Sequence, residues 1–133
     1  MEEKAEIKQV SEREIWIGES RLYLGEDNIL YINIVGESDE KTTVGMRTAN
    51  NRLENMIKEK IDVLVDLNKA GKQSIESRKL GKELIEKERV RKIAFYGLNP
   101  VSRVLASFLI AVLQQKKSRF FNTKEEALAW LRE

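Results

Sequence analysis

The chain has 133 residues, 41% of them hydrophobic and 35% charged, which fits one globular domain with a single core and excludes collagen-like and low-complexity classes. Cysteine and histidine are both absent, which rules out disulfides, thiolate metal centres, cysteine nucleophiles and the Ser-His triad, and removes the usual general base. Net charge is only +2, yet residues 1–40 carry 11 acidic and 4 basic side chains while residues 41–133 carry 11 acidic and 20 basic.

Residues 1–12 are polar and are expected to form a flexible lead-in to a single domain over 13–133. Glu14-Ile-Trp-Ile-Gly18 and Arg21-Leu-Tyr-Leu-Gly25 alternate apolar and polar residues, the period of half-buried strands. Asn28 to Val35 is longer and richer in β-branched and aromatic residues. The first 36 residues thus predict an antiparallel meander. The period then lengthens. Ser38 or Asp39 can cap a helix whose stripe is Met46, Ala49, Leu53, Met56 and Ile57. Ile61 to Leu67 is nearly continuous in apolar residues, as in a strand covered on both faces. Asn68-Lys-Ala-Gly71 predicts a turn. Ser74 can cap a helix to about Lys87, and Lys92-Ile-Ala-Phe-Tyr96 predicts another buried strand. Asn99 and Pro100 open a helix to about Gln115. Ser118 to Phe121 predicts a short strand, and Thr123-Lys-Glu-Glu126 is a capping box opening a last helix. Right-handed crossovers make the later strands mostly parallel. The expectation is an α/β fold: a mixed sheet with about four helices.

Few residues offer chemistry. Asp66 ends a buried strand, where open α/β sheets place ligands. A phosphoacceptor role needs an acidic pair, which Asp39 and Glu40 might supply, and a lysine just after the last strand. Lys116 and Lys117 precede that strand, so the simpler role of Asp66 is to bind backbone N–H groups in the following turn. Ser74 and Ser77 open a helix, a place that stabilises an added phosphate; the plainer roles are an N-cap for Ser74 and a solvent-facing position for Ser77. The helix 100–115 is apolar beyond one stripe, with Val104, Phe108, Leu109, Ile110 and Leu113 among its side chains. It predicts a central buried helix, a homodimer face, or an apolar ligand pocket or partner groove. Lys87, Arg89, Arg91, Lys92, Lys116, Lys117 and Arg119 form a basic set without interleaved stacking groups, so nucleic acid is not the expected partner. No Gly-rich phosphate cradle is present, and no cofactor or metal is expected. The longest nearly apolar run, Val104 to Leu113, is about half of the roughly 20 residues a membrane span requires. No signal peptide is expected at Met1, and the expected location is the cytoplasm.

Taken together, Val63-Leu-Val-Asp-Leu67, Lys92-Ile-Ala-Phe-Tyr-Gly97, Pro100-Val-Ser-Arg-Val-Leu-Ala-Ser-Phe108 and Arg119-Phe-Phe-Asn-Thr-Lys-Glu-Glu-Ala-Leu-Ala-Trp-Leu131 resemble the SpoIIAA-like family of small STAS-type proteins. The resemblance covers roughly residues 20–133. It implies a STAS-like mixed sheet with helices packed mainly on one face, and a non-catalytic regulatory module that binds protein partners. It places a phosphorylated serine near Ser74, where the family pattern Asp-Ser-Ser/Thr-Gly is replaced by Gln73-Ser-Ile-Glu-Ser77. It also carries a likeness to CRAL-TRIO lipid carriers, and so a small apolar or lipid-like ligand as the alternative.

Overall fold

The computed structural model describes residues 6–97 and 117–133. Four antiparallel strands come first: β1 (Ile7–Ser11), β2 (Glu14–Ile17), β3 (Ser20–Leu24) and β4 (Ile29–Ser38). The β2–β3 hairpin closes over two residues, and its first, Gly18, has φ +60, which glycine adopts without strain. Asp27 closes the β3–β4 turn by accepting from the Ile29 N–H at 3.2 Å. This meander has one strand more than expected. Ile7–Ser11, expected as loose lead-in, is the edge strand β1. Its polar sequence suits a strand with one partner and most side chains in water.

Helix α1 (Glu40–Glu54) follows, then β5 (Ile61–Gln73), α2 (Ile75–Glu86), β6 (Val90–Tyr96), β7 (Ser118–Phe121) and α3 (Lys124–Leu131). Asp39 caps α1 by accepting from the Thr42 N–H at 2.9 Å. Thr123 caps α3 by accepting from the Glu126 N–H at 3.2 Å. The seven strands lie in chain order, and β4 to β7 pair in parallel. Met56, expected on the α1 stripe, lies past the helix end and is exposed, because Asn55 already terminates the helix.

The turn expected at Asn68–Gly71 is absent. β5 continues beside β4 to the pair Ser38↔Gln73, with one extra residue accommodated between Asp66 and Lys69 and another between Ala70 and Gln73. Backbone proximity explains part of this: a Cβ on Gly71 would lie 2.9 Å from the carbonyl carbon of Gly36 on β4. Pairing with a ten-residue neighbour outweighs the local turn composition.

Because β4 to β6 are apolar on both faces, two cores form. On one face Leu22, Leu30, Val63, Val65 and Ile93 pack under Met46, Ala49 and Leu53 of α1 and Leu84 and Ile85 of α2. On the other, Ile29, Leu64, Ala94 and Tyr96 pack under Ala127 and Leu131 of α3. Each fully buried leucine or isoleucine contributes roughly 1.5–3 kcal/mol. Two helices therefore lie on one face and one on the other, three among the described residues. The fourth expected helix, over 100–115, falls outside the described residues. Where α3 does not reach, the outer face of β2–β4 is finished by side-chain stacking. Arg21 is paired with Glu14 at 2.8 Å and lies 4.2 Å from the Tyr23 ring centroid, and Tyr23 stacks on Tyr31 at 4.5 Å. No helix among the described residues is long and apolar enough to cross a membrane.

Candidate functional site

Two places at the C-terminal end of the parallel strands draw attention. The first surrounds Asp66 on the α3 face. Its Oδ1 accepts from the Asn68 backbone N–H and from Asn68 Nδ2, both at 2.9 Å. Tyr96, paired with Asp66 in the β5–β6 register, stands beside the same carboxylate. Burial pushes the Tyr96 phenol well above its ordinary range, and the Asp66 charge pushes it further in the same direction. Gly97 follows with φ +91, and a Cβ there would lie 2.6 Å from Asn68 Cγ and 2.7 Å from Asn68 N. Asp66 thus organises a bulge within β5 instead of a turn after it.

The second place lies on the opposite face, where α1 and α2 begin side by side. The Ser74 N–H donates to Ser38 O at 2.9 Å, tying the start of α2 to the end of β4. Ser74 Oγ caps α2 by accepting from the Ser77 N–H at 3.1 Å. Ser77, expected to face solvent, is half-buried, and its hydroxyl donates to Gln73 Oε1 at 2.8 Å. Gln73 Nε2 in turn donates to Gly71 O at 2.9 Å. Ile75, the first residue of α2, is 59% exposed. An isoleucine so open, at the mouth of two helix N-termini, has no role in either core.

Beneath this surface α1, α2 and the sheet line a partly open cavity of about 80 Å³. Its wall includes Ile32, Val65, Leu67, Leu84 and Phe95, together with Asn50, Gln73 and Ser77. Asn50 is 3% exposed, and its buried Oδ1 has no hydrogen-bond partner among the described residues. Sequence reasoning passed over Asn50. The signal was present: positions 46, 49, 50 and 53 share one helix face, and only Asn50 among them is polar.

Asp66 and the pair Ser74–Ser77 therefore share an end of the sheet but lie on opposite faces. Asp39 caps α1, with its carboxyl held below the usual range by the Thr42 backbone N–H, so it does not join Asp66. Among the described residues no group of three or more acidic side chains is arranged to hold a metal ion. The basic set is largely committed within the fold. Lys87 pairs with the buried Glu54 at 2.9 Å, and Arg89 donates to Glu54 O at 2.7 Å. Arg91 pairs with Asp62 at 2.8 Å, Lys92 donates to Trp130 O at 2.9 Å, and Lys117 donates to Lys87 O at 3.1 Å. Val104, Phe108, Leu109, Ile110 and Leu113, with the homodimer face or pocket expected of them, lie outside the described residues, as does Lys116.

The family described as "Domain of unknown function (DUF7793)" matches residues 23–133, and the chain belongs to it. Among solved structures it is similar to an uncharacterized protein of the DUF3478 family with a SpoIIAA-like fold from Shewanella loihica PV-4. Identity is 19%, the match covers 84% of this chain and 91% of that one, and the TM-score is 0.63. It is also similar to the anti-sigma factor antagonist SpoIIAA in its unphosphorylated form, at 13% identity, 85% and 97% coverage and a TM-score of 0.60. At these identities the likeness establishes the fold, which is SpoIIAA-like. No protein of curated function matches the chain in sequence.

Proposed function

We propose that this DUF7793 member is a non-enzymatic regulatory module of the cytoplasm that binds a protein partner at the start of α2. The carrying observation is Ile75, an apolar side chain 59% exposed beside the capping Ser74. Removing the Ile75 hydrocarbon from water against a partner is favourable, as for any apolar side chain. Ser74 and Ser77 supply hydroxyls beside it, and Asp66 lies at the same end of the sheet on its other face. The fold neighbour SpoIIAA, an anti-sigma factor antagonist described in an unphosphorylated form, supports the reading by analogy and makes Ser74 the candidate modification site. The test compares capture of proteins from the source cell by the wild-type chain, Ile75→Asp and Val10→Asp. Val10 is equally exposed, at 56%, but lies on β1. A protein lost with Ile75→Asp and kept with Val10→Asp is the expected result. Equal capture by all three would refute the assignment of the surface.

A second reading, a carrier or sensor of a small apolar ligand, is favoured by the cavity under α2. Native mass spectrometry of the gently purified chain tests it. An added mass that disappears on denaturation is expected, and a bare chain under both conditions counts against it.

A further inference from the structure

We infer that the cavity between α1, α2 and the sheet takes a small uncharged molecule with an apolar body and one O–H or N–H group, which donates to Asn50 Oδ1. The inference rests on the ligand reading above and adds the chemistry of the ligand.

The cavity wall is mainly hydrocarbon, from Ile32, Val65, Leu67, Leu84 and Phe95, which favours an apolar body. Into it faces an amide that is 3% exposed and whose oxygen has no partner among the described residues. Native interiors leave few such acceptors, because an unmet buried acceptor retains its full desolvation cost. On the apolar face of α1, between Met46, Ala49 and Leu53, a leucine at position 50 would fill the space with hydrocarbon and leave nothing unmet. The polar groups nearby do not serve Asn50. Ser77 Oγ donates to Gln73 Oε1, and Gln73 Nε2 donates to Gly71 O. Ser38 and Arg78 share the wall, and among the described residues none donates to Asn50 Oδ1, so an occupant of the cavity is the inferred source of the donor.

Volume sets the size. About 80 Å³ is near half of the roughly 150 Å³ apolar cavity known to hold benzene. A short alcohol is accommodated within that volume, whereas a long acyl chain would extend beyond it.

Two isomers of equal size isolate the donor. 1-Butanol carries an O–H, and methyl propyl ether has the same atoms in a chain of the same length without one. Each is titrated into the full-length protein and followed by amide correlation spectra. 1-Butanol is expected to bind about five-fold tighter, the effect of one net hydrogen bond, and to move the Asn50 side-chain amide signals. Asn50→Leu is expected to bind both isomers equally. Equal binding of the two isomers to the wild-type chain would overturn the donor assignment and leave the ligand reading standing. Failure of both to give saturable shifts at the cavity wall would overturn both, and would leave a buried water as the partner of Asn50.

Discussion

Gly97→Ala is the most direct test of how the Asp66 end of the sheet is built. Gly97 has φ +91, and a Cβ there would meet Asn68 Cγ at 2.6 Å, Asn68 N at 2.7 Å and Asn68 Nδ2 at 2.8 Å. The amide group can rotate away, but the backbone nitrogen sits in the β5 bulge and cannot. Left-handed backbone costs a residue with a Cβ about 1–2 kcal/mol. Overpacking adds roughly 1–3 kcal/mol. Loss of glycine's freedom in the unfolded chain returns roughly 0.4–1 kcal/mol. The expected net loss is about 3 kcal/mol, a lowering of the urea midpoint by roughly 1.5 M. Gly18→Ala is the control. Gly18 also has positive φ, +60, but nothing lies within 4 Å of its added Cβ, so it carries the backbone cost alone. Urea unfolding followed by tryptophan fluorescence measures both. If Gly97→Ala costs no more than Gly18→Ala, the close approach of Gly97 to Asn68 is refuted.

Ser74→Ala is expected to lose about 1 kcal/mol through loss of the α2 cap, and Ser74→Asp to retain most of it, read as urea midpoints. Arg91→Ala removes the Asp62 pair and the bonds to the Leu131 and Glu133 carbonyls that fasten α3. Because the Arg91 side chain is 41% exposed, solvent screening keeps the expected loss to about 1 kcal/mol, with a changed Trp130 emission and a smaller loss at high salt. Alkaline pH should destabilise the fold. Tyr96 holds its proton more tightly when folded than when unfolded, so above the ordinary tyrosine value of 10.0 the unfolded chain binds fewer protons and stability falls as pH rises. The Tyr96 contribution to that slope is at most about 1.4 kcal/mol per pH unit. Unfolding at pH 9 to 11 should show a shallower fall for Tyr96→Phe, and an unchanged slope would remove Tyr96 as a cause.

Periodicity and capping chemistry were enough to place most elements. Asp39, Ser74 and Thr123 each cap the helix that their sequence context predicts. Local composition misled where pairing decided. Asn68-Lys-Ala-Gly71 has the residues of a turn, yet these positions extend β5 because β4 runs alongside and Gly36 accepts Gly71 closely. Ile7–Ser11 carries too few apolar residues to announce a strand, and only its partner β2 defines it. At the site, Ser74 was legible because capping is local. Asn50 was not, because an unmet acceptor is a property of its surroundings in space. The basic side chains from Lys87 to Lys92, from which no nucleic-acid partner is expected, bind carboxylates and carbonyls more than 25 residues away in the chain.

The agreement between chain order and spatial order in the sheet bears on how the protein is made. Each strand needs only its predecessor as a template, so the sheet can grow in one direction as the chain leaves the ribosome. The first 38 residues supply three hairpin contacts that close over short loops, on a timescale of about 1–10 μs. β5, β6 and β7 are then added in turn to an edge that already exists, each after its connecting segment has been synthesised. Such growth never requires a strand to insert between two others, and it leaves one growing edge open at each stage.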